Sequence, residues 1–207
     1  VFSGENGGMT ALADIDLILA STSVYRRELL ARLTTRFRQQ APHVDETAQP
    51  GEAPAALAAR LATAKARAVG ALNLQALIIG SDQVADCAGL ILGKPGTGEN
   101  ARRQLRASSG RTVIFHTAIC VIDTCSTPAR EYLAMDVTRV EFRRLGDEEI
   151  ERYLARERPY DCAGSFKSEG VGISLFERIQ SQDPTALIGL PLIALCQLLR
   201  EAGIDVV

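Results

Sequence analysis

The sequence has no C-x-x-C pair. Its five cysteines, Cys87, Cys120, Cys125, Cys162 and Cys196, are odd in number and widely scattered. That spacing excludes a disulfide framework and a thiolate zinc site, and points to reduced thiols in a cytoplasmic protein. No apolar run approaches the roughly 20 residues of a membrane-spanning helix, and the opening VFSGENGGMTALADID lacks a basic stretch followed by an apolar one. Neither a helical span nor a secretion signal is expected. There is little net charge, -2 over 207 residues, so the chain as a whole does not attract a nucleic acid backbone or an anionic membrane. Any anion site must be built locally. Histidine is scarce, with only His43 and His116, and no G-x-S-x-G elbow is present, which leaves little for a hydrolytic triad.

Familiar nucleotide motifs are missing too. GLILGKP fails the spacing of a phosphate-binding P-loop, and proline follows its lysine. GVG at Gly170 to Gly172 lacks the rest of a dinucleotide fingerprint. What is present is ordinary globular material: 46% hydrophobic and 23% charged residues, enough for one domain or two closely joined lobes. Met9 can serve as a start, which makes VFSGENGG an appended or flexible extension. Residues 1–15 are set aside from the fold, and 16–207 are expected to form a single domain.

Hydropathy alternates between strand-like and helix-like segments. Asp16 to Ala20 reads as a short buried strand and Ser23 to Leu33 as a helix. Pro54 to Val69 reads as an alanine-rich helix, and ALIIGSD as a strand ending at Asp82. Lys94 follows a second apolar strand, with a helix from about Glu99. TVIFHTAICVID and YLAMDVTRVEFRRL suggest an antiparallel hairpin, and helices return at Asp147 to Ala155 and Pro191 to Arg200. This order predicts an α/β fold with a mixed, twisted sheet and flanking helices.

In ASTSVYRREL a strand breaks into a turn before a helix, where free N–H groups favour phosphate; Ser21, Ser23, Arg26 and Arg27 reinforce the spot. The plainer reading makes Ser23 a helix cap and the arginines solvated. Asp82 after one strand, Lys94 after another and Lys65 within an alanine-rich helix suggest cations converging near a carboxylate. Asp45 and Glu46 add oxygens of the type that a hard divalent cation accepts. Phosphate, metal and carboxylate together mean phosphoryl chemistry.

LILASTSVYRRELL, APHVDET, LATAKA, LIIGSDQV, GKP, CAGSFKSEGVGI and TALIGLPL, in this order, resemble the Maf family of nucleoside triphosphate pyrophosphatases from Leu17 to about Ala202. GSDQ and CAGSFKSEG resemble the subgroup acting on 7-methyl-GTP. In the branch acting on dTTP and UTP, threonine commonly follows the aspartate and glutamine replaces the late glutamate. The resemblance implies two lobes around a mixed sheet, substrate in the cleft between them, a divalent metal (Mg, Mn or Co) and a homodimer. It implies Asp82 as catalytic base, with Glu46 and Asp82 as metal ligands. Ser21, Arg26, Lys65 and Lys94 become phosphate contacts, and Tyr25, Gln83 and Glu169 specificity positions. Asp82 can serve as base, as ligand or as both. Glu169 can read the base or bind metal, and Tyr25 can stack on the base or pack in the helix core.

Val24 stands where the family usually has proline, and Gly98 where an acidic residue is common. The implied reaction is hydrolysis between the α- and β-phosphates of 7-methyl-GTP or another modified or canonical nucleotide. The rival is a nucleotide-binding regulator of cell division without turnover, since the family is also associated with septum formation.

Overall fold

A computed structural model describes residues 10–207; the expected extension at Val1 to Gly8 lies outside the described residues. In chain order the strands and helices are β1 (Thr10–Ala11), β2 (Leu17–Leu19), α1 (Val24–Leu30), β3 (Arg38–Gln39), α2 (Pro54–Gly70), β4 (Leu77–Cys87), β5 (Leu90–Leu92), α3 (Gly98–Ser108), β6 (Thr112–Asp123), β7 (Arg130–Phe142), α4 (Asp147–Glu157), β8 (Phe176–Gln180), α5 (Leu192–Glu201) and β9 (Ile204–Asp205). A seven-stranded sheet runs β3-β2-β4-β6-β7-β8, with β5 attached to β4. β2 lies parallel to β3 and β4, whereas β4, β6, β7 and β8 are successively antiparallel. The fold is mixed α/β, as the alternation of patterns implies.

Side-chain alternation on the sheet divides the core. Leu17, Leu19, Leu77, Ile79, Ile119 and Val121 face α1 and α5 on one side. Ile18, Ile78, Ala118 and Cys120 face Leu57, Leu61 and Val69 of α2 on the other. A third cluster, with Phe115, Phe142, Phe166, Leu105 and Leu154, fills the far end beneath α3 and α4. Long strands β4 and β6 run through both ends, so that one sheet carries the three clusters.

Two sequence expectations change. Residues 10–15 belong to the fold rather than to an extension: β1 pairs in parallel with β9, and Leu12 is buried in the core. Asp82 is not at a strand end. β4 continues to Cys87 because β6 pairs with it as far as Asp86↔Ile114, so Asp82 sits in mid-strand. β2 stops at Leu19, however, and its pairing with β4 ends at Ile79. On that edge β5 takes over only from Ala85 to Cys87, so Gly80 to Val84 have no strand partner there, and a cleft opens at this gap.

Gly80 brings α2 down onto this strand. A Cβ at Gly80 would lie 2.3 Å from the Ala62 carbonyl oxygen and 2.7 Å from the Ala66 nitrogen, so only glycine permits the approach. Lys65, between those two alanines in sequence, is thereby delivered to Asp82. Among the described residues no helix is long and apolar enough to cross a membrane.

Candidate active site

The cleft is a cavity of about 800 Å³, lined by residues that include Ser21, Tyr25, Arg26, Glu46, Lys65, Asp82, Gln83, Lys94 and Glu169. Catalytic, phosphate, metal and specificity positions implied by the family resemblance therefore meet in one space, whereas Arg27 and Asp45, also named from the sequence, are exposed and do not line it. The separations are large in sequence, and the fold removes them.

Lys65 holds the charged end together. Its Nζ lies 2.6 Å from Asp82 Oδ1 and 2.6 Å from Glu46 Oε1; Lys65 on α2 and Asp82 on β4 are buried, while Glu46, on the loop before α2, keeps an exposed side chain. Burial works against the Glu46 carboxylate's charge, but the Lys65 hydrogen bond, with Lys94 and Arg26 nearby, outweighs it and holds Glu46 below the usual carboxylate range. Burial draws the Arg26 guanidinium below its ordinary value, opposed by Asp82 and Glu46. These mutual influences put Arg26, Lys65, Lys94, Glu46 and Asp82 in one charge cluster.

The turn after β2 behaves in both ways the sequence allowed. Ser23 is the cap of α1, its Oγ accepting from the Arg26 backbone N–H at 3.3 Å. Ser21 Oγ accepts from the Ser23 N–H at 3.1 Å, which leaves the Ser21 hydroxyl proton free to donate. Arg26 turns inward, with Nε donating to the Gly189 carbonyl at 2.8 Å, whereas Arg27 is exposed. α1 is shorter than the expected Ser23 to Leu33, at seven residues.

Tyr25 also lines the cavity. Its hydroxyl is 3.4 Å from Asp161 Oδ2 and 3.8 Å from Cys162 Sγ, and Lys167 Nζ lies 5.9 Å from its ring centroid. Burial raises the phenol, and Cys162, Asp161 and Glu169 push the same way. Burial likewise pushes the Cys162 thiol up to about 12, which leaves it an unreactive thiol at neutral pH. Gln83 Nε2 reaches Thr117 Oγ1 at 3.0 Å and the carbonyls of Ala186 and Leu187 at 2.9 and 3.1 Å. Carbonyls only accept, so the amide is fixed with Oε1 left over as an acceptor at the cavity wall.

Sequence reasoning did not single out Glu28, Asp161 or the 187–189 backbone, which also line the cavity. Glu28 follows Tyr25 by one helical turn, a usable signal. The turn backbone had none beyond its place in TALIGLPL, because carbonyls carry no residue-type signature.

As to metal, among the described residues no group of three or more His, Cys, Asp or Glu side chains forms a cage. Two carboxylates do converge on one cationic position, now held by the Lys65 ammonium. That donor set fits a hard divalent ion of the Mg²⁺ kind, which is commonly bound by one or two carboxylates with water and substrate phosphates completing the shell.

A mixed α/β fold in which a central strand, unpaired on one edge at its middle, meets a helix in a carboxylate–lysine cluster, beside a loop of hydroxyl groups and arginine, defines a protein that can hold a polyanion against an acidic group. The chain belongs to the Maf family: the family model described as "Maf-like protein" matches residues 16–202. A protein of Xanthomonas oryzae pv. oryzae named 7-methyl-GTP pyrophosphatase is 62% identical over 187 residues, covering 90% of this chain and 96% of its own length. One of the same name from Xanthomonas axonopodis pv. citri is 59% identical over 190 residues, 92% of this chain and 98% of its own. Among solved structures, the Staphylococcus aureus Ham1 protein shares the fold at a TM-score of 0.50 with 14% identity, covering 90% of this chain and 98% of that one.

Proposed function

We propose that this chain hydrolyses the α–β phosphoanhydride bond of 7-methyl-GTP, yielding 7-methyl-GMP and pyrophosphate. The observation that carries the reading is Lys65 clamped between Asp82 and Glu46 in a cavity that Arg26 and Lys94 also line. Cations alone would suit a passive anion binder. A carboxylate pair among them suits turnover, because an attacking water needs a proton acceptor.

In this reading Arg26, Lys65, Lys94 and the Ser21 hydroxyl neutralise and orient the triphosphate. Asp82 accepts the proton of the attacking water. Glu46 and Asp82 would hold a divalent cation, Mg²⁺, Mn²⁺ or Co²⁺, which supplies extra positive charge at the phosphates when bound. The remote end reads the base. Methylation at N7 makes guanine cationic and strengthens its N1–H and amino donors, so an aromatic face at Tyr25 and acceptors at Glu169 and Gln83 Oε1 suit it. The names of the relatives from Xanthomonas support the same substrate. The free cysteines suit a reducing cytoplasm.

The register of cleavage is tested by ³¹P NMR of the reaction with 7-methyl-GTP. Pyrophosphate and the monophosphate are expected together, with turnover lost on chelation and restored by Mg²⁺ or Mn²⁺. Stepwise orthophosphate release through a diphosphate rejects the reading, and an intact nucleotide at catalytic protein concentration favours the non-catalytic binder. For the base, Glu169→Gln is expected to reduce the kcat/KM preference for 7-methyl-GTP over GTP about tenfold, equivalent to roughly 1.4 kcal/mol. An equal loss on both substrates that added metal rescues would assign Glu169 to the metal instead.

A further inference from the structure

The segment TALIGLPL contributes no charged side chain, yet its backbone touches residues proposed for both ends of the substrate. The short helical turn Ala186–Ile188 ends at Gly189, whose φ of 126° is open to glycine and costly to other residues. The Gly189 carbonyl accepts from Arg26 Nε at 2.8 Å, and Ser81 Oγ lies 3.0 Å from it. The carbonyls of Ala186 and Leu187 hold Gln83 Nε2, and Thr117 Oγ1 also donates to Ala186 at 3.1 Å.

These contacts decide what Arg26 and Gln83 have left to offer. With Nε spent on Gly189, the guanidinium is fixed in plane, and among the described residues no hydrogen bond engages its terminal nitrogens. With its N–H groups spent on the turn, Gln83 keeps only its acceptor oxygen. One backbone turn thus sets a cation for phosphate and an acceptor for the base.

The turn is itself clamped. Asp183, 3% exposed, accepts from the Thr185 N–H at 2.9 Å, from Thr185 Oγ1 at 2.6 Å and from the Ile193 N–H at 2.6 Å, tying the start of the segment to the first turn of α5. Thr185 Oγ1 also accepts from the Leu192 N–H at 2.8 Å and lies 2.9 Å from the Leu190 carbonyl. Asp136 on β7 backs the clamp, accepting from the Asp183 N–H at 3.1 Å. A buried carboxylate that accepts from three donors of one loop holds that loop more tightly than backbone packing alone.

We infer that Asp183 and Thr185 are positioning residues for the reaction: by closing the 185–192 loop they hold Arg26 and Gln83 in register, so that base and phosphates are recognised as one unit. This rests on the proposed 7-methyl-GTP hydrolysis, so wild-type turnover is measured first; its absence removes the functional reading and leaves the loop geometry standing. Thr185→Val keeps the shape and removes the hydroxyl. It is expected to lower kcat/KM for 7-methyl-GTP about tenfold, as slight misplacement of aligned groups does, and to narrow the preference over GTP measurably. Thr185→Ser is expected to restore both. A cycle pairing Arg26→Lys with Gln83→Leu should be non-additive in wild type and additive in the Thr185→Val background. Asp183→Asn, monitored by thermal unfolding and corrected for folded fraction, should repeat the Thr185→Val pattern more strongly. The inference is overturned if Thr185→Val keeps wild-type kinetics, if it loses both substrates only in proportion to unfolded protein, or if the cycle is additive from the start.

Discussion

Replacing Asp82 by asparagine is expected to lower kcat by about 10²-fold or more, the usual cost of removing a general base, while the fold survives. The amide matches the carboxylate in size, and its oxygen can still accept from Lys65, now 2.6 Å away. Lys65 also keeps its partner in Glu46, so no buried ammonium is left alone. What is lost is the anion itself. An amide cannot accept a proton from water at neutral pH, and it is a poorer ligand for a hard cation. Steady-state turnover of 7-methyl-GTP, with a thermal melt of the same sample, separates chemistry from folding. Near-wild-type turnover would remove Asp82 from the mechanism.

Lys65→Met is expected to be comparably damaging for a different reason. Methionine fills the volume and removes the ammonium that touches both carboxylates. Asp82 then sits buried beside a like charge, with Arg26 as a more distant counterweight. Breaking a buried pair by deleting one partner costs about 3 kcal/mol, so a lower unfolding midpoint is expected. The loss in catalysis has two parts. Phosphate charge exists in the ground state and is redistributed in the transition state, so KM should rise and kcat fall together, lowering kcat/KM by roughly 10²-fold or more. A rise in KM with kcat unchanged would restrict Lys65 to uniform binding of the phosphates.

Much of this was legible from local pattern. The alanine-rich run from Pro54, the apolar runs of β4 and β6 and the hairpin between β6 and β7 follow from periodicity that neighbouring residues impose on a helix or strand. The residue types suited to phosphate chemistry, Ser21, Arg26, Lys65, Asp82 and Lys94, could be named because hydroxyls, cations and carboxylates carry their chemistry with them.

Contacts between distant segments decided the rest. The GSDQ stretch looks like a strand end, since apolar character stops at Ile79, yet ladder pairing with β6 carries β4 through it to Cys87. Non-local hydrogen bonding overrides a local hydropathy signal, as it commonly does in sheets. Residues 10–15 looked dispensable, but β9 pairs with β1 and the core covers Leu12, a union of the two ends of the described chain that no window of sequence contains. The same holds for the clamp on Lys65 and for the turn carbonyls that orient Arg26 and Gln83. Sequence by itself determined which groups were available and which elements would carry them. Only the tertiary structure decided which groups meet, because hydrogen bonds to backbone carbonyls and charge pairing in a buried cleft depend on distances that a linear chain does not encode locally.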